Sequence, residues 1–130
     1  MRDFTLFVTT HRQELCLIPA LKRADPITGE NWPARALTAL ARACDDTDAG
    51  AIGIHTEPSL FGTSNDDMHA ISELVTTPIL SLSLARNPFQ IHRARFYGAD
   101  AEIVWEHIAD QSIIEKLITT EQSFHLVPVL

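Results

Sequence analysis

The chain has 130 residues, 45% of them hydrophobic, and a formal net charge of −7 at pH 7. This length suits one domain with a core of its own, since domains most often have roughly 100–150 residues. The acidic balance argues against nucleic acid and anionic membranes as partners, because both attract basic surfaces. A small phosphate or carboxylate ligand is compatible with it, because such a ligand needs only a few local donors.

Residues 1–15 are predicted to be a short N-terminal extension. They carry charges throughout and lack the apolar core that a signal peptide requires. No stretch of the chain approaches the roughly 20 apolar residues of a membrane span. Cys16 and Cys44 lack the spacing of metal ligands, and free cysteines are typical of a reducing compartment. These features together predict a cytoplasmic protein.

Five short apolar stretches, each bounded by polar or turn residues, are predicted to be β-strands. They cover residues 16–21, 51–55, 78–84, 101–105 and 124–130. The segments between them have apolar residues at helical spacing, as expected for amphipathic helices.

The predicted helices have recognisable local start signals. Pro33 suits the first turn of a helix, and Ser64 with Asp67 has the pattern of a capping box. Asn87 is an N-cap that directly precedes a proline, and Asp110 is predicted to cap the last helix.

Strands that alternate with helices of this size imply an α/β domain with a parallel sheet and right-handed crossovers. We predict a partial TIM-type (β/α) barrel over residues 16–130, with about four βα units and a fifth strand. A complete barrel has eight units in about 250 residues, so this domain corresponds to a half-barrel. A small open doubly wound sheet is the alternative.

The most restricted segment is the loop over residues 55–64, which directly follows the second predicted strand. It reads His-Thr-Glu-Pro-Ser-Leu-Phe-Gly-Thr-Ser. A proline corner, a Phe-Gly turn and a serine N-cap leave this loop little conformational freedom. In a (β/α) barrel, such loops form the active-site face.

Four segments resemble motifs of the indole-3-glycerol phosphate synthase family, in the family's order. Residues 20–26 are similar to Glu-x-Lys-Arg-x-Ser-Pro-Ser of the first strand, and residues 55–64 to Thr-Glu-Pro, two residues, Phe-Gly-Gly-Ser. Residues 78–91 are similar to Pro-Val-Leu-Arg-Lys-Asp-Phe-Ile-x-Asp-Pro-Tyr-Gln-Ile, and residues 94–101 to Ala-Arg-x-x-Gly-Ala-Asp-Ala. The resemblance covers about residues 17–130 and implies the N-terminal half of that family's barrel, a family of tryptophan biosynthesis.

The resemblance implies a ligand site at the ends of the strands. The family's first-strand lysine helps to bind substrate, and Lys22 occupies its position. Lys22, Arg23 and Arg86 could together hold a phosphate or carboxylate group. The full set of expected ligand-binding residues is Lys22, Glu57, Phe61, Ser64 and Arg86.

The catalytic positions that the resemblance implies carry no catalytic side chain. The family's first-strand Glu is Ala20 here, and its general acid, the lysine of Arg-Lys-Asp-Phe, aligns with Leu82. A leucine cannot donate a proton. The fifth-strand Glu would fall around Val129 or Leu130, and we expect the later strands with the family's phosphate-binding loops to be absent. We therefore assign no catalytic residue and expect no cofactor.

An enzyme of different, metal-dependent chemistry is a second hypothesis. His55 and Glu57 follow the second predicted strand, and Glu106 and His107 follow the fourth. In a parallel sheet all four would lie at the same C-terminal end, and such side chains can bind zinc, iron or manganese. There is no compact motif such as His-Glu-x-x-His, so ordinary solvated loop residues are the simpler interpretation.

The outer strands of a half-barrel would have N–H and C=O groups without partners. We therefore expect a homo-oligomer or a protein partner that covers these edges. The first hypothesis is a protein that is non-catalytic alone and acts as an interaction or regulatory subunit. A third hypothesis is a split synthase, a carbon–carbon lyase completed by a partner chain. Leu82 argues against it, because the acid position lies in the half that is present.

Overall fold

The computed structural model describes residues 2–10, 16–105, 107, 110–123 and 127–129. These residues contain one five-stranded parallel sheet with the strand order β1-β2-β3-β4-β5. The strands are β1 (Ala20–Leu21), β2 (Ile52–Ile54), β3 (Ile79–Ser81), β4 (Ala101–Ile103) and β5 (Val127–Val129). The helices are α1 (Phe4–Thr10), α2 (Ala34–Asp45), α3 (Pro58–Phe61), α4 (Asn65–Ser72), α5 (Pro88–Phe96) and α6 (Gln111–Ser123). Helices connect each strand to the next, which confirms the predicted α/β partial barrel.

The two faces of the sheet have different coverings. The outer face packs against the helices and forms the main core, which includes Leu21, Ile52, Ile54, Ile79, Val104, Leu37, Ile71, Ile91 and Leu117. The inner face, which would line the interior of a closed barrel, carries a smaller cluster of Phe4, Ala51, Leu80 and Ala101, with Leu82 and Val129 packed against it. Successive side chains of a strand point to opposite faces, so each strand residue can be assigned to one of them.

The predicted starts of α4 and α5 agree with the observed ones, whereas Pro33 lies at the N-cap just before α2 and not in its first turn. The Ser64 hydroxyl accepts from the backbone N–H of Asp67 at 3.2 Å, and the Asp67 carboxylate accepts from the Ser64 backbone N–H at 2.8 Å. This reciprocal pair is the predicted capping box. Asn87 Oδ1 likewise accepts from the Gln90 backbone N–H at 3.2 Å, at the start of α5.

The first strand is shorter than predicted: the prediction covered residues 16–21, and the observed strand is Ala20–Leu21. The Pro19 carbonyl still accepts from the Gly53 backbone N–H at 2.8 Å. Proline has no N–H to return, so the ladder cannot continue through this position. The predicted fifth strand is observed over Val127–Val129, and residues 124–126 and 130 lie outside the described residues.

Helix α1 is not indicated by the sequence patterns, and it covers the N-terminal end of the inner face. Phe4 is buried in the inner-face cluster. Arg2 Nη1 lies 3.2 Å from the buried carboxylate of Asp100, which directly precedes β4. Part of the predicted extension therefore packs on the domain, and residues 11–15 lie outside the described part. No helix among the described residues combines the length and the apolar character needed to cross a membrane.

Candidate functional site

The C-terminal ends of β1, β2 and β3 bring three side chains together on the inner face. Leu21 and Ile54 belong to the outer core, so the residues that follow them, Lys22 and His55, point inward. Leu82 packs against the inner-face cluster. A Cβ atom on Gly53 would lie 2.8 Å from Leu82 Cδ1, which places the leucine directly over β2.

Lys22 is held at this end of the sheet by a carboxylate and a ring. Its Nζ lies 2.9 Å from Asp25 Oδ2 and 5.7 Å from the centroid of the Phe61 ring. The ion pair and two backbone N–H donors lower the pKa of Asp25 to about 2. The ammonium group therefore already has an anionic partner, although an incoming anion could exchange with it.

His55 lies against the same ring, with the two ring centroids 4.3 Å apart. Burial lowers the pKa of His55, and the positive charge of Lys22 lowers it further. A hydrogen bond to the Leu82 backbone acts in the opposite direction. The imidazole is therefore predominantly neutral at pH 7, with one nitrogen available as an acceptor.

Replacing Lys22 with Gln is expected to raise the pKa of His55, because the change removes a nearby positive charge and leaves the Asp25 carboxylate. Proton–nitrogen NMR titration of the imidazole measures this shift. Lys116→Gln on the exposed surface of α6 is the matched control and should leave His55 unchanged. An unchanged or lowered His55 pKa in Lys22→Gln would contradict the assignment.

The Glu57 side chain accepts a hydrogen bond from the backbone of the loop after β3. Its Oε1 accepts from the Leu84 backbone N–H at 3.2 Å. The predicted third strand covered residues 78–84, but the observed strand is only Ile79–Ser81. The Leu84 N–H therefore lies beyond the strand, and Glu57 provides its acceptor. One carboxylate oxygen is thus committed to loop structure, and the expected ligand role of Glu57 stays a prediction.

The second-strand loop is tied to the first-strand loop by its backbone. The Phe61 carbonyl accepts from the backbone N–H groups of Arg23 and Ala24 at 3.0 and 2.7 Å. Gly62 has φ +65, which favours glycine, and a Cβ atom there would make a tight 3.1 Å contact with Ala24 Cβ. These contacts hold the loop over residues 55–64 against the first-strand loop, and its rigidity stays a prediction.

The other expected ligand residues have structural contacts. Ser64 caps α4, and Arg23 Nη1 lies 3.6 Å from the capping carboxylate of Asp67. Arg86 is exposed, and its backbone N–H donates to Gln90 Oε1 at 2.7 Å. Among these residues, Phe61 contacts both Lys22 and His55. An anion site formed by Lys22, Arg23 and Arg86 together stays a prediction.

The hypothetical metal site gains no support from the described residues. Within them, no three His, Cys, Asp or Glu side chains are grouped as metal ligands would be. His107 is exposed, and Glu106 lies outside the described residues.

One polar residue of the fourth strand is absent from the sequence interpretation. Glu102 is fully buried on the outer face, where its carboxyl group accepts a hydrogen bond from the Ser83 hydroxyl. The sequence feature that could have indicated this buried residue is a single carboxylate within the apolar stretch 101–105. Charged residues are rarely fully buried, so such a carboxylate indicates either a polar partner or a raised pKa.

Comparison with known proteins agrees with this geometry. The protein-family model for indole-3-glycerol phosphate synthase matches residues 1–130. A synthase of that name from Mycobacterium ulcerans is 32% identical over 114 residues, which are 88% of this chain and 42% of the relative. One from Mycolicibacterium vanbaalenii is 31% identical over 116 residues, 89% of this chain and 43% of the relative. One from Mycolicibacterium smegmatis is 32% identical over 114 residues, with 88% and 42% covered.

The matched region therefore spans less than half the length of these curated relatives. The family model nevertheless covers every residue of the sequence, and the parallel sheet is the one expected for part of a barrel. This chain belongs to the indole-3-glycerol phosphate synthase family.

Proposed function

We propose that this chain keeps the fold of its family without the ring-closing chemistry, and that it acts in the cytoplasm as an interaction or regulatory subunit of an oligomer. The observation that carries the proposal is the position of Leu82. It lies on the inner face just beyond the end of β3, beside β2, where the family motif has its general acid. Its side chain has no proton to donate to a carbonyl or a leaving oxygen.

The first strand supports the same conclusion. Ala20 lies two residues before Lys22, so both side chains belong to the inner face, and Ala20 occupies the position of the family's carboxylate. Of the three motif positions at this end of the sheet, Lys22 alone retains the family's residue type. Substrate contact without an acid and a base gives binding without turnover.

The proton-carrying groups that are present do not compensate for this loss. Lys22 pairs with Asp25 at 2.9 Å, and His55 has a hydrogen bond to the Leu82 backbone. The presence of Leu82 in this half of the barrel also argues against a split synthase completed by a partner. A second chain could add strands, but it could not place an ammonium group at this position.

The subunit role is supported by the edges of the sheet. Within the described part of the chain, β1 pairs only with β2, and β5 pairs only with β4. Open edges of this kind are templates for strand pairing. The inner face next to them is apolar, and Val129 on it is only partly buried. We propose that a second copy of the chain covers this edge and face.

The oligomeric state tests this role. Light scattering at micromolar concentration is expected to give a mass above the 14.4 kDa of one chain. Each copy carries a net charge of −7, so association should strengthen with salt as repulsion is screened. Val129→Glu, which places a charge on the inner face, should reduce the mass to that of one chain. Gln122→Glu on the exposed side of α6 is the matched control. A strictly monomeric wild-type chain at low and high salt would refute the subunit role.

A further inference from the structure

The feature that the proposed function leaves unused is the buried carboxyl group of Glu102. Its side chain is 0% exposed. Ala101 belongs to the inner-face cluster and Val104 to the outer core, so Glu102 points between the sheet and the helices. In the β3–β4 register its partner is Ser81, which is also 0% exposed.

The hydrogen bonds of this pair are incomplete. The Ser83 hydroxyl donates to Glu102 Oε1. Glu102 Oε2 and Ser81 Oγ have no partner, and they are the only such buried side-chain atoms among the described residues. These two atoms without hydrogen-bond partners belong to residues that are paired in the β3–β4 register.

This arrangement suits the neutral acid and not the carboxylate. An ionised carboxylate has two acceptor oxygens, and a buried one needs donors at both. The structure supplies one donor, from Ser83. A protonated Glu102 would instead bring its own donor, which Ser81 Oγ could accept through one internal water molecule, since the two atoms make no direct hydrogen bond.

We propose that Glu102 is a proton-binding site built into the fold: the protonated acid links β4 to β3, and loss of its proton loosens this part of the sheet. The site is separate from the inner face and does not rest on the proposed function. It makes the stability of the chain sensitive to pH near neutrality.

The charged surroundings of Glu102 do not cancel the cost of ionising it. Arg93 on α5 is the cation whose field reaches the carboxyl group. On the neighbouring β3 the facing side chains are the uncharged Ser81 and Ser83. From α6 the buried side chains Ile114 and Leu117 are apolar, while Glu115 and Lys116 are exposed. Burial therefore dominates and raises the pKa of Glu102 to about 7, against the opposing effects of Ser83 and Arg93.

The sign of the pH dependence follows from this direction. The folded chain holds the Glu102 proton up to about pH 7, whereas the unfolded chain releases it near the ordinary value of 4.5. Between these values the folded state binds more protons, so stability falls as the pH rises through this window. Above about pH 7 both states are ionised and the contribution is constant.

Urea unfolding of wild type and Glu102→Gln at a series of pH values tests the proposal. Gln keeps the shape and hydrogen bonds of the neutral acid but does not titrate. The folding equilibrium constant of the variant, divided by that of wild type, should rise on the order of 100-fold between about pH 4.5 and pH 8. The ratio cancels the pH dependence of all other groups. Glu73→Gln at the exposed end of α4 is the matched control, and the change in its ratio should be far smaller than that of Glu102→Gln.

A rise of about tenfold or more supports the proposal, and a smaller rise overturns it. If Glu102→Gln does not fold, carbon-13 NMR titration of the Glu102 carboxyl carbon in the wild-type chain decides the matter. A midpoint above about pH 6 supports the buried proton, and a midpoint below it refutes the proposal.

Discussion

The purified chain is expected to convert the native substrate of its family roughly 10⁴-fold more slowly than a complete relative, or not at all. A positioned acid or base typically contributes about 10²–10⁴ in rate, and Leu82 and Ala20 stand where the family motif has its general acid and a catalytic carboxylate. A continuous assay for indole-3-glycerol phosphate formation, with a full-length relative as reference, measures the difference.

Variants at position 82 test whether the missing acid is the sole cause of inactivity. Leu82→Lys restores a proton donor on the inner face, and Leu82→Met is the matched apolar control. The lysine is expected to give no more than trace turnover by itself, because Ala20 still supplies no carboxylate. Wild-type turnover within about 100-fold of the relative, and lost in Lys22→Met, would overturn the non-catalytic proposal.

Asp100→Ala is expected to lower the free energy of unfolding by about 3 kcal/mol, because it removes a buried carboxylate with several donors. Asp100 is 3% exposed, and its oxygens accept from the backbone N–H groups of Arg2 and Ile79 at 3.1 and 2.9 Å. The Arg2 guanidinium lies 3.2 Å away. The variant leaves the Ile79 N–H buried without its acceptor and detaches the segment that leads into α1.

Urea unfolding at pH 7 measures this loss, with Asp48→Ala on the exposed turn after α2 as the control. Proteolysis provides a second measurement, because cleavage within α1 should accelerate in Asp100→Ala while cleavage in α2 does not. A loss below about 1 kcal/mol would show that Asp100 does not anchor the N-terminal segment.

The features that identify the family in this chain are distinct from the side chains on which its activity would depend. The loop over residues 55–64 looks like an active-site signature, and its backbone ties to the first-strand loop are intact. These ties depend on a glycine at φ +65 and on backbone carbonyls, and they persist whether or not a catalytic side chain is nearby. A fold is kept by such local requirements, whereas activity depends on a few side chains that can be lost one at a time.

Local structure was predictable wherever a few neighbouring residues determine it. The Ser64–Asp67 capping box and the Asn87 cap each involve contacts within three residues, so sequence spacing suffices to identify them. Strand ends were less predictable. They depend on which N–H groups find acceptors across the sheet, as with Pro19 before β1 and Glu57 beyond β3.

The sequence by itself determined the family, the order of the five strands and of the four helices that link them, and the leucine at the position of the family's acid. Those features are carried by residue types at fixed spacings. Only the tertiary structure placed Phe4 in the inner-face cluster and Glu102 between the sheet and the helices, and showed that Lys22 and His55 share the Phe61 ring. Such contacts join residues far apart in the chain, and whether a buried carboxyl group finds its donors is decided by three-dimensional packing.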